Sequence, residues 1–287
     1  MVSHLSTLGG RSAGSLTRGT HIDWYHKPYF DLIKEMLAPH GSPRVLSDNN
    51  LINGKMNFDC STVAPDDKTP CTNNAGISKF KFQTGKAHRL RLVNSGADGV
   101  QRFSIDGHTL TVIAEDFTPV KPYNTTIVTL GVGQRSDVLV TANAGNPDSA
   151  FWMRSTLTGC SAARQPNALA AVYYDKADTS KTPSSNPWVV PEPANCANEP
   201  LIKTEPLYPI AVPNPTFTQT MDIEVFKNAS DVTLWKFNGV SARVNYNNPT
   251  LLLANQGNFS YPSDWGVVNY GSNTSVRIIV RNRSPGS

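Results

Sequence analysis

The sequence predicts an all-β protein made of two units joined by a proline-rich connector. Three observations carry this reading. Short runs of alternating or β-branched residues follow one another from Lys79 to Tyr174 with turn residues between them. The chain holds 20 Gly and 21 Pro, with 39% hydrophobic and only 17% charged residues, which suits a turn-rich β protein better than a helical or disordered one. Residues 179–216 are rich in Pro, Ser and Asn, as an extended inter-domain connector is.

Taken in order, residues 1–20 are rich in Gly, Ser and Thr and lack periodicity, so they are expected to be irregular. Phe30, Ile33 and Leu37 fall at helical spacing, and Pro39 and Gly41 follow, so a short helix is expected over Tyr29–Leu37. From Lys79 the period changes. The run Lys79 to Phe82 alternates, and His88 to Val93 puts Leu90 and Leu92 on one face. Strands follow at Phe103 and Ile105, Leu110 to Ile113, Thr126 to Val132, Asp137 to Thr141, Phe151 to Thr156 and Leu169 to Tyr174. Beyond the connector, strands are expected at Thr220 to Phe226, Thr233 to Phe237, Thr250 to Leu253, Trp265 to Tyr270 and Ser275 to Arg281. That second unit reads as incomplete. Its open sheet edges favour self-association.

Several function classes are excluded. The formal net charge is only +4 and the Lys and Arg are scattered, so nucleic acid is not an expected partner. No apolar run is long enough to span a membrane. There is no P-loop, dinucleotide fingerprint or nucleophile elbow, and Gly131-Val132-Gly133 ends a strand instead of opening a helix. Asn124, Asn228, Asn258, Asn273 and Asn282 each begin a glycosylation sequon. Four cysteines allow two disulfides, read as Cys60 with Cys71 and Cys160 with Cys196, the alternative being free buried thiols. These features suit a secreted protein, although Met1 to Gly10 lack the apolar core of a signal peptide.

The run from His88 to Ser95, the run from Phe103 to Asp116 and the run from Gly131 to Asn143 resemble the middle domain of fungal laccases. Asp23-Trp24-Tyr25-His26 and Leu51-Ile52-Asn53-Gly54 match two further laccase segments in order, and Leu234 to Gly239 resembles the opening of the third laccase domain. The resemblance is specific and covers about residues 20 to 283, and the Cys spacing around Phe58-Asp59-Cys60-Ser61 points to the ascomycete branch. It implies cupredoxin-like Greek-key β-sandwich or barrel domains: residues 1–20 the remnant of a first domain, 21–178 the middle domain, 179–216 the linker and 217–287 part of a third.

The resemblance also implies copper, held in the family by His-x-His motifs and a late His-Cys-His motif. Here only His4 falls on a ligand position, with Val2 where the first histidine of its motif would stand. No histidine follows His108. This chain is therefore expected to bind no copper alone. His108 reads as a satisfied turn histidine, and His21, His26, His40 and His88 as exposed or turn residues. Asp98 matches the acidic residue that lines the family's phenol pocket. A carboxylate there can take the phenolic proton as the electron leaves. The plainer reading gives it to the Gly96-Ala97-Asp98-Gly99 turn. Thr158 and Gly159 fall on a neighbouring pocket loop, and Glu115 and Asp116 on a solvated one.

The resemblance implies one-electron oxidation or coupling of phenols or aromatic polyketides with reduction of dioxygen, in a chain expected to be inactive by itself. Two other readings are a non-catalytic cupredoxin-like module that binds a small aromatic or a partner, and a fragment of a longer gene product.

Overall fold

A computed structural model describes residues 16–41, 45–63, 65, 67–159, 161–189, 197–243 and 245–284. Two compact units emerge, one drawn from Met1–Lys27 and Leu46–Pro209, the other from Pro28–Val45 and Ile210–Ser287.

The larger unit is a sandwich of two sheets. In chain order its strands are β1 (Leu16–Trp24), β2 (Ser47–Ile52), β3 (Ser78–Lys81), β4 (Ala87–Asn94), β5 (Gln101–Ile105) and β6 (Leu110–Glu115). They continue as β7 (Thr118–Thr125), β8 (Val128–Leu130), β9 (Arg135–Thr141), β10 (Ala150–Leu157), β11 (Ala163–Gln165) and β12 (Asn167–Tyr173). One sheet has the order β11-β2-β1-β4-β9-β6-β7, the other β3-β12-β10-β5-β8. The pairing is mainly antiparallel, but β1 runs parallel to β4 and β12 parallel to β3. The described strands thus form the cupredoxin-like arrangement that the sequence predicts.

Alternation explains the layers. Along β4, His88, Leu90, Leu92 and Asn94 point inward while Arg89 and Arg91 face out. Leu90, Leu92, Leu110, Val112, Val138 and Val140 of the first sheet meet Phe103, Ile105, Val128, Leu130 and Val172 of the second in one core. Burial of each such side chain is worth about 1.5–3 kcal/mol.

Two polar clusters in this core are closely paired. Asn50 and Gln101 exchange amide hydrogen bonds of 3.0 and 2.8 Å from opposite sheets, and Ser155 adds a hydroxyl to Gln101 at 2.7 Å. The Asp106 carboxylate, fully buried, accepts two bonds of 2.8 Å from Arg154 and one of 2.7 Å from Ser185. Beside it the His108 ring is fixed in one tautomer. The Asp106 carbonyl can only accept, so Nδ1 donates to it at 2.7 Å and Nε2 takes the Tyr174 hydroxyl proton at 2.6 Å. His108 is the satisfied turn histidine the sequence suggests.

His21 and His88 are corrections. Both were expected at exposed or turn positions, yet both lie in strands and are buried. His21 packs edge-on against Phe103 at 5.2 Å, and His88 stacks on Phe82 at 4.3 Å. A histidine at an inward strand position is read there as a flat, half-apolar ring. Residues 16–20, expected to be irregular, belong to β1, whose partners in sequence are distant enough to hide the pairing. Glu115 and Asp116 were expected in a solvated loop, but Glu115 ends β6 with a half-buried carboxyl. Burial pushes Glu115 up to about 7 against the hydrogen bond from Ser136, with Glu199 adding to the rise.

The smaller unit carries a three-stranded sheet, β14-β13-β15, from β13 (Phe217–Lys227), β14 (Thr233–Phe237) and β15 (Val276–Asn282), with helices α1 (Tyr29–Met36) and α2 (Thr250–Asn255). The helix at Tyr29 is as expected. Two expected strands are not. Thr250 to Leu253 is helical because Leu residues, which are not branched at Cβ, follow Pro249, which starts the helix, and Gly257 at φ +76° follows its end. Trp265 to Tyr270, expected as a strand, is not one: Trp265 ends a 3-10 turn, Ser263–Trp265, Gly266 lies in the left-handed region, and the chain runs on to Tyr270 without regular structure. Trp235, Phe237, Ile278 and Val280 on this sheet are exposed.

Two outcomes follow. Replacing Asp106 with Ala strands Arg154 without its carboxylate and should cost roughly 3 kcal/mol in urea unfolding, because an unpaired, half-buried charge is left behind. Burial lowers the His21 pKa to about 4 from 6.5, so the folded state holds the ring neutral while the unfolded chain takes up a proton below 6.5. The His21 contribution is thus complete above pH 6.5 and is lost as pH falls toward 4, by about 3 kcal/mol, with His88 and His108 acting in the same direction and Glu115, raised to about 7, acting in the opposite one. Compared with the wild type at each pH, His21→Leu should therefore gain melting temperature steadily from pH 6.5 to 4.

Candidate functional site

Three chain segments meet at one end of the larger unit: the end of β1 with Asp23, the β4–β5 connection with Asp98, and the turn after β10 with Thr158. Asp23 points inward at the end of β1 and is 3% exposed. Its carboxylate accepts the backbone N–H of Ala97 at 2.8 Å and of Asp98 at 3.1 Å. Asn94, at the buried end of β4, takes the Gly96 N–H on its oxygen at 3.0 Å. It donates to the carbonyls of Gly99 at 2.7 Å and Leu130 at 2.9 Å. The Ser161 hydroxyl accepts from Val100 N–H at 3.0 Å and donates to the Asp98 carbonyl at 3.3 Å.

The loop is thus held from three sides, with the Asp98 side chain left exposed. Glycines make the approach possible. A Cβ on Gly96 would lie 1.8 Å from Asp23 Oδ1, and one on Gly99 would lie 2.4 Å from a Leu157 methyl. Thr158 donates its N–H to the Val100 carbonyl at 3.0 Å and accepts the Ser161 N–H at 2.9 Å. Its hydroxyl is buried with no partner among the described residues. Tyr25 hydrogen-bonds to Asp23, and burial first, then the negative charges of Asp23 and Asp98, raise its phenolic pKa. Chemically the site offers an accessible carboxylate on a clamped loop, near the Tyr25 phenol.

The expected site residues fall as follows. Asp98 and Thr158 come together on adjoining loops. His4 and the pair Cys160 and Cys196 lie outside the described residues. Cys60 and Cys71 form the expected disulfide. Asn124, Asn228, Asn258, Asn273 and Asn282 are all exposed. Sequence reasoning did not single out Asp23, Tyr25, Asn94 or Ser161. The signal for the first two was present in the Asp23-Trp24-Tyr25-His26 segment, which was read only as a family marker.

The described residues do not fit the family's copper centres. His21, His88 and His108 are each engaged separately in the core, His40 faces Asp231 in the smaller unit, and His26 lies beside two aspartates. The described cysteines, Cys60 and Cys71, are joined to each other and offer no thiolate.

A multicopper oxidase family model matches residues 20–177. The chain belongs to the multicopper oxidases. It is 34% identical over 248 residues to a laccase of Botryotinia fuckeliana, covering 86% of this chain and 40% of that one. To an oxidoreductase of Beauveria bassiana it is 35% identical over 236 residues, covering 80% of this chain and 38% of that one. The crystal structure of Botrytis aclada laccase matches at a TM-score of 0.77 and 28% identity, over 93% of this chain and 48% of that one. This multicopper oxidase is of the fungal laccase type, and it spans about two fifths of the length of the curated relatives it matches.

Gly96→Ala tests the loop's construction. The added methyl must push Asp23 aside and break the Ala97 and Asp98 amide bonds, so exchange of those two amides should accelerate at least tenfold by NMR while the core amides of β4 and β9 stay protected.

Proposed function

We propose that this chain carries the phenol-facing wall of a laccase-type oxidase, with Asp98 as the group that takes the phenolic proton. The observation that supports the reading is the clamping of the Asp98 loop by the Asp23 carboxylate. In that arrangement the phenol O–H donates to the Asp98 carboxylate, which would take the proton if an acceptor outside this chain withdrew an electron from the ring. The product would then be a neutral phenoxyl radical instead of a high-energy radical cation. Thr158, buried behind the loop, supports it through its backbone bonds to Val100 and Ser161. Copper would be the electron acceptor in the family. Since the described residues do not match its donor set, no step is drawn through it, and the chain alone is proposed to turn over no phenol.

A second reading, a non-catalytic module that binds a small aromatic, is favoured by the fact that the Asp98 loop and its supports all lie within one unit of this chain. Self-association through the three-stranded sheet, secretion and glycosylation at the exposed sequons belong with these proposals.

The decisive experiment combines copper analysis of the purified chain, oxygen uptake with 2,6-dimethoxyphenol, and titration of the same phenol by NMR. No copper and no uptake are expected, with chemical-shift changes at Asp98 and Thr158 that weaken severalfold in Asp98→Asn. Stoichiometric copper with turnover would overturn the inactive reading. Shift changes unaffected by Asp98→Asn would overturn the role given to that carboxylate.

A further inference from the structure

On the other side of β1 from Asp23, a second group of titratable side chains converges. His26 follows the end of β1, Asp48 lies in β2, and Asp67 lies in the loop between β2 and β3. Their donor atoms all fall within 4.8 Å of one another. The side chains are 14%, 12% and 4% exposed respectively, so each is largely withdrawn from water.

Each is aimed by its own hydrogen bonds. The His26 N–H donates to Asp48 Oδ2 at 2.8 Å, which leaves Oδ1 turned toward the imidazole. Asp67 Oδ1 accepts the Thr69 N–H at 2.9 Å, and the Thr69 hydroxyl donates to the His26 carbonyl at 3.3 Å. Asp67 Oδ2 is left facing the imidazole. The His26 ring is held edge-on against Phe58 at 4.8 Å.

The spacing is informative. His26 Nδ1 lies 3.9 Å from Asp48 Oδ1 and 3.8 Å from Asp67 Oδ2. Those separations are too long for hydrogen bonds, which need about 2.7–3.2 Å. They are close to the span of two metal–ligand bonds of about 2.0–2.2 Å meeting at a wide angle. Arg164, 3.3 Å from Asp48 Oδ1, answers one of the two carboxylate charges. Lys27 also lowers the Asp67 pKa by its charge. One nitrogen and two carboxylate oxygens, with an open side, suit a borderline divalent ion such as zinc.

Access and control are also visible. A cavity of about 620 Å³ opens beside the group, with His26, Thr69 and Cys71 in its wall together with Trp24, Met56 and Phe58. The segment that supplies Asp67 is closed by the Cys60–Cys71 disulfide, 11 residues apart in sequence. The cross-link restricts where Asp67 can go, so the third donor is presented at small entropic cost.

We propose that His26, Asp48 and Asp67 form a site for a single divalent transition ion, separate from the Asp98 loop, with its third ligand delivered by the disulfide-closed segment. Water completes the coordination from the cavity side. The site does not rest on the phenol reading and requires none of the family's copper motifs.

The test is calorimetric titration of the chelator-treated 287-residue chain with zinc chloride, alongside Asp67→Asn, with circular dichroism to verify folding. One zinc per chain is expected, with binding at least tenfold weaker in Asp67→Asn. X-ray absorption on the zinc-loaded wild type should show only nitrogen and oxygen neighbours near 2.0–2.1 Å, with one imidazole. Fewer than half an equivalent bound at about 100 µM free zinc would overturn the site, as would undiminished binding by folded Asp67→Asn. Sulfur or several imidazoles around the ion would place it elsewhere. Should Asp67→Asn fail to fold, the wild-type absorption spectrum decides alone.

Discussion

The reciprocal amide pair between Asn50 and Gln101 is the contact on which the rest of the larger unit depends. It joins β2 of one sheet to β5 of the other in the dry interior, and the Ser155 hydroxyl closes it from β10. Apolar contacts between sheets tolerate sliding, whereas an amide pair with every partner satisfied accepts one register only. That register has a consequence a few residues away. Gln101 is the first residue of β5, so fixing it fixes where the β4–β5 connection must end, while Asn94 fixes where it begins. Between those two anchors the chain has little choice but to bow over Asp23 with Asp98 at its crest.

The two clusters on either face of β1 illustrate opposite uses of carboxylates. Asp23 is spent inward, on backbone amides, and its charge is neutralised by the loop it organises. Asp48 and Asp67 keep one oxygen each for the backbone and one for a neighbouring ring. The strand's alternation separates them. Successive residues point to opposite sides, so His21 and Asp23 go to the core while Trp24 and His26 reach the outer cavity.

Much of this organisation was legible in the sequence. Strands with clean alternation, such as β4 and β6, were readable because one face is buried and the other wet. The helix at Tyr29 was readable from its spacing and its stop signals. The strands β1, β2 and β7 were not. Ser47-Asp48-Asn49-Asn50 is polar throughout yet buried, because its side chains serve hydrogen bonds across the sheets instead of apolar packing. Thr250 to Leu253 misled in the other direction, since a short apolar run fits a strand or a helix equally until Pro249 is weighed. At the site, Asp98 could be placed from its turn and the family pattern. Its supports could not, since Asp23 lies 75 positions earlier and nothing local announces the pairing. The group formed by His26, Asp48 and Asp67 escaped for the same reason: no ligand spacing exists along the chain, only in space.

The position of β1 within its sheet has a kinetic meaning. It lies between β2 and β4, bonded along both edges, and is neither a flap nor a margin. The Ala97 and Asp98 amides end on a carboxylate rooted in that interior strand, so the surface they shape cannot loosen by fraying from an end. Motion of the loop requires breaking both of those bonds to the strand. A molecule approaching Asp98 therefore meets a surface set in advance, and selects by fit to a standing shape instead of paying to mould a soft one.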